Sequence, residues 1–117
     1  MLKWCQEIYI GESIEDRSDK IIRMLKAGKA PYMTWLITKS ENGGNQLEIM
    51  NAIYLKQPFI RDRLPEIIGL AINKGEAIKM VRAITEACVN MTGDADLIAF
   101  LDRHPTIENL KKVSIVK

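Results

Sequence analysis

The sequence predicts a single α+β domain, a two-layer sandwich whose mixed four-stranded sheet carries one long helix, residues 75–91, on one face. Three observations lead there. Glu66 to Asn73 is nearly all apolar and rich in isoleucine, and it is framed by Pro65 and Lys74-Gly75. That describes a strand covered on both faces, although periodicity alone also fits a short buried helix. From Gly75 the period changes. Ala77, Val81, Ile84, Cys88 and Met91 fall at steps of four, three, four and three, one stripe along a helix. Lys79, Arg82, Glu86 and Asn90 take the wetter side, and Gly93 is placed to end the helix. Finally, SENGGN at Ser40–Asn45 separates two β-type runs, so residues 32–51 read as a hairpin. Hairpin neighbours are antiparallel, which argues against a purely parallel sheet.

The remaining elements follow in order. Leu2, Trp4, Ile8 and Ile10 alternate with Lys3, Glu7 and Tyr9, a half-buried strand closed by Gly11. The polar run Glu12–Asp19 offers helix caps, best placed at Asp16 and Ser18. Ile21, Ile22 and Leu25 form the apolar patch of a short helix that Gly28 ends. Pro31 restarts the chain; Tyr32–Thr38 is strand-like, and Leu47, Ile49 and Asn51 continue as its partner. Residues 52–63 are ambiguous. Tyr54, Pro58 and Phe59 fit one face of a short helix capped by Asn51, with Pro58 confined to its first turns or kinking it, and the string from Arg61 to Arg63 reads as exposed. Asp94 or Asp96 caps a helix carrying Leu97, Ile98, Phe100 and Leu101, which Pro105 stops. Thr106, Glu108 and Asn109 open a last turn. Val113–Val116 reads as an edge strand or, with the rest of residues 103–117, as a mobile tail. The nearest named architecture for this order is a loosely ferredoxin-like βαββ(α)β arrangement.

At 117 residues the chain is expected to hold one core. Its 47% hydrophobic content fits a folded domain. The 17 basic residues are interleaved with 15 acidic ones, and a net charge of +2 is that of an ordinary surface rather than a nucleic-acid face. Lys20, Arg23, Lys26 and Lys29 read as a solvated helix side; a nucleic-acid role would need Lys20, Lys26, Lys29, Arg61 and Arg63 to converge. Cys5 and Cys88 lack a CxxC partner and read as buried thiols of a reducing compartment, with a disulfide the weaker alternative. No apolar run approaches the ~18 residues of a membrane span. The first residues lack the long apolar block of a signal peptide, so a cytoplasmic location is expected.

YMTWLITKSENGGNQLEIMNA at 32–52, the Arg61–Asp62 region, and EIIGLAINKGEAIKMVRAITEACVNMTGDADLIAFL at 66–101 carry a resemblance. Together they resemble a set of small uncharacterised α+β proteins of anaerobic Gram-positive bacteria, over roughly residues 8–101. Those motifs are structural. The resemblance implies a small single domain and brings no activity, cofactor or catalytic residue.

The chemistry-bearing residues are sparse. His104 is the only histidine and stands before Pro105, a helix-end position. Neither cysteine has a base in predictable reach, and no ligand spacing suggests a metal. Glu12, Glu15, Asp16 and Asp19, like Asp94 and Asp96, suit the field at helix N-termini better than acid–base pairing. No catalytic residue, metal or cofactor is therefore expected. Asn73-Lys74-Gly75-Glu76 keeps a ligand reading, because N–H groups converge where a central strand enters a helix and an anion could bind there. The leading expectation is a non-enzymatic module that self-associates, as a homodimer, or binds a protein partner. Trp4, Tyr32, Met33 and Trp35, on strands with one face left uncovered, would form its interface. The second expectation is a small anion or phosphate-ligand binding protein, or an enzyme, with its site at Asn73–Glu76.

Overall fold

The computed structural model describes residues 2–41 and 46–115; the loop Asn42–Asn45 and Val116, expected in the last strand, lie outside the described residues. In chain order the elements are β1 (Trp4–Ile10), α1 (Ser18–Lys26), β2 (Trp35–Lys39), β3 (Leu47–Asn51), α2 (Pro58–Arg63), β4 (Ile67–Ala71), α3 (Lys74–Thr92), α4 (Leu97–Leu101) and β5 (Lys111–Ser114). Two 3-10 segments, Glu12–Arg17 and Ala52–Lys56, precede α1 and α2.

One open, mixed sheet has the order β3-β2-β4-β1-β5. β1 and β4 are parallel, and the other neighbouring pairs are antiparallel. The sheet has five strands where four were expected, because Lys111–Ser114 pairs with Glu7–Ile10. The ferredoxin-like description fits this order only roughly.

Successive side chains of a strand point to opposite faces, and every residue of β4 is buried, so both faces of the sheet centre are covered. α3 packs across β2, β3 and β4. The Tyr9 hydroxyl donates to the carbonyl of Pro105, just after α4, and Lys39 reaches Asp102 at the end of α4. Tyr9 and Ile37 both pair with Gly69, so this is the α3–α4 face. α1, α2 and the 3-10 segments are left to cover the other. The two-layer expectation is corrected accordingly: helical layers flank the sheet on both sides, and no bare sheet face remains at its centre.

Helix α3 starts and stops as its sequence dictates. The Asn73 side chain accepts from the Glu76 N–H, and Gly93 takes a left-handed conformation (φ 80°) that a Cβ would resist. The buried line runs through Ala77, Met80, Ile84 and Cys88. Val81 is only half-buried. Met91 lies on that line yet is 64% exposed, so the last turn overruns the surface beneath it.

The start of α1 departs from the expected capping. Buried Ile14 pins the preceding residues as a 3-10 segment, and the Ser18 hydroxyl donates to the Glu15 carbonyl instead of capping. Asp16 is exposed. The ambiguous stretch 52–63 divides in two. Asn51 caps the 3-10 segment by accepting from the Ile53 N–H, and Pro58 opens α2, where its missing donor costs nothing. Arg61, expected to be exposed, is half-buried. It donates to the carbonyls of Leu55, Leu25 and Lys29 and so ties α2 to the C-terminus of α1.

Candidate functional site

The turn Asn73–Glu76 joins the C-terminal end of β4 to α3, as expected, and the Asn73 side chain accepts from the Glu76 N–H. Glu76 Oε1 accepts from the Ile72 N–H at 2.8 Å, and Oε2 accepts from the Ser13 N–H at 3.0 Å. The carboxylate of the first helical turn thus binds backbone N–H groups just after β4 and just beyond β1. Gly11 makes the reach possible, since a Cβ there would collide with the Glu76 carboxyl group. Lys74 and Gly75 are exposed. Glu76 serves as an internal tie between the β1 and β4 ends of the sheet.

A second cluster lies at the opposite ends of the strands. The Cys5 thiol donates to Glu66 Oε1 (3.4 Å), and Lys39 Nζ lies 2.6 Å from that oxygen and 3.2 Å from Asp102 Oδ1. Burial, reinforced by the Glu66 carboxylate, pushes the Cys5 thiol up to about 12. Burial alone would lower Lys39, but its bonds to Glu66 and Asp102 outweigh this and hold its ammonium above the usual range. The direction is wrong for a nucleophile, which needs a depressed thiol. At pH 8 a pKa of about 12 leaves only about one thiol in ten thousand ionised, against roughly a quarter of a free cysteine. Iodoacetamide should therefore label Cys5 at least ~100-fold more slowly in the folded chain than after denaturation. Rapid labelling of native Cys5, followed by mass spectrometry, would contradict this account. Cys88 is fully buried, and its thiol contacts the carbonyls of Asp94 and Asp96. Among the described residues, no group of three or more His, Cys, Asp or Glu side chains is placed to hold a metal ion.

The expected interface residues do not share one face. Trp4 pairs with Ile67 and Trp35 with Ala71, at opposite ends of β4. Trp35 alternates with Leu36 and so lies with Ile37 on the α3–α4 side. Trp4 lines a hollow of about 460 Å³ with Leu2, Leu25 and Arg61 on the α1 side. Both tryptophans are half-buried against the core. Tyr32 and Met33 sit in the turn before β2 rather than on a strand, and are 88% and 51% exposed.

The β2–β3 pairing gives these two residues different company. The ladder pairs Trp35 with Asn51 and extends to a bond from the Ala52 N–H to the Thr34 carbonyl. Tyr32 and Met33 enter that end of the hairpin, and Ile53 and Tyr54 leave it, both about half exposed. Phe59, in α2, is exposed and lines a hollow beside Ile49 and Met50 of β3. Four large apolar side chains are thus exposed on the segments that flank one end of the hairpin. The sequence hid Ile53 and Tyr54 because they belong to a stretch with no clear period; the helpful signal was Asn51, whose cap turns the chain there.

No family model, curated protein or solved structure matches the chain. No helix is long and apolar enough to cross a membrane, among the described residues.

Proposed function

We propose that this chain is a non-enzymatic contact module that binds another protein chain through the β2–β3 hairpin. The observation that carries the reading is the group Tyr32, Met33, Ile53 and Tyr54 at one hairpin end, exposed where a folded chain of this size has helices to spare for the sheet centre. Aromatic and methionine side chains are enriched at protein contacts, because they bury large areas at little entropic cost. The reading moves the expected surface away from Trp4 and Trp35, whose contacts are internal, and keeps Tyr32 and Met33.

A photo-crosslinking residue at position 54 tests it. In cells the Tyr54 position should give a discrete adduct, weakened several-fold by Tyr32→Ser. The same residue at Arg82, on the exposed side of α3, should give none. Indistinguishable adduct patterns from positions 54 and 82 would remove the hairpin as a contact surface.

A further inference from the structure

β3 ends the sheet, and its outer edge is arranged to pair with itself. In the antiparallel β2–β3 ladder, the bonds Ala52 N–H to Thr34 and Ser40 N–H to Gln46 fix which residues face inward. Bonded pairs alternate, so Gln46, Glu48, Met50 and Ala52 turn their backbone groups to β2. Leu47, Ile49 and Asn51 therefore point their N–H and C=O groups outward, and no described strand lies beyond them. The other sheet edge is guarded differently. β5 is only four residues long and carries the exposed Lys111, a charge of the kind that deters edge pairing, while Lys112 is held by Glu7 and the His104 carbonyl. β3 reads Leu-Glu-Ile-Met-Asn, with a single charge and four half-buried positions.

We propose that the partner is a second copy of this chain, joined by antiparallel pairing of β3 with β3 about a two-fold axis at Ile49. This rests on the reading of the hairpin as a contact surface and names its occupant. The register follows from self-complementarity. Centring on Ile49 sets Leu47 opposite Asn51, so every outward N–H of each strand meets a carbonyl of the other. It also sets Glu48 opposite Met50, so the only charge on the strand never meets its own copy; like charges placed directly opposite are unfavourable in a sheet. Leu47 and Ile49 extend the α3–α4 face of one copy into that of the other. The pairing is isologous and closes with two chains, because it consumes the β3 edge of both while each β5 edge stays short and keeps Lys111.

The two-fold makes an unusual demand on Ile49, which faces itself. Ile49→Lys and Ile49→Glu should each be monomeric, since each puts two like charges at the centre of the pair. Mixed in equal amounts they should restore a complex of twice the chain mass, and light scattering reads this directly. Circular dichroism verifies that both variants are folded. Hydrogen exchange on the unmodified chain gives an independent measure: the amides of Leu47, Ile49 and Asn51 should slow at least tenfold between low and high micromolar concentration, with those of β5 unchanged. Absence of rescue by mixing folded variants overturns the pairing, as does concentration-independent exchange at the three amides. In either case a foreign adduct at position 54 leaves the contact module standing without self-pairing, and no adduct there removes both.

Discussion

Gly11→Ala is expected to destabilise the chain by about 2–4 kcal/mol, and only while Glu76 is present. An alanine Cβ would displace the carboxylate that accepts from the Ile72 and Ser13 N–H groups, bonds of the charge-assisted kind worth ~1.5–3 kcal/mol each. Glu76→Ala should cost a similar amount, because the half-buried Ile72 N–H is left without its acceptor. With Glu76 gone, the collision has no object. The backbone of Gly11 (φ −63°, ψ 144°) suits any residue, so alanine there should then be neutral or stabilising by up to ~1 kcal/mol through the unfolded state. Urea unfolding of the four proteins of this cycle measures the coupling. Additive losses would show that Gly11 and Glu76 do not meet in solution.

That tie also marks how far the sequence could be read. The strand–turn–helix unit around Asn73 was legible because its signals are local: an apolar run, a cap, a helical stripe and Gly93. The hairpin was legible for the same reason, through β-branched residues on either side of a glycine pair. What the sequence concealed was contact between distant segments. Nothing near Gly11 announces that a glutamate sixty-odd residues later will need its missing side chain. The coverage of the sheet was concealed likewise, since α1 and α2 are too short to announce themselves as a layer. A mistaken bare face followed, and with it the grouping of Trp4 with Trp35. β5 was ambiguous because four residues with two lysines resemble a tail until β1 offers them an edge. The turn Asn73–Glu76 was located correctly; what stayed hidden is that the Glu76 side chain accepts from the N–H groups of Ile72 and Ser13.

The helix register yields the other large effect. Ile84 is fully buried in the middle of the line Ala77, Met80, Ile84, Cys88, where α3 lies over β2, β3 and β4. Removing its side chain down to Cβ deletes apolar contacts and leaves a cavity that the flanking sheet closes only in part. Ile84→Ala should therefore lower unfolding free energy by about 2–5 kcal/mol. The neighbouring positions calibrate the claim. Val81, at the border of the stripe, should lose roughly 1 kcal/mol on truncation, since part of its surface is already in water. Met91 is on the same line but beyond the packed surface, so Met91→Ser should move stability by less than ~0.5 kcal/mol. The ordering Ile84, Val81, Met91 is the test, read from denaturant midpoints at unchanged m-value. Equal losses at Ile84 and Met91 would mean that the last turn of α3 is covered in solution, which rotates or extends the buried line beyond the one described.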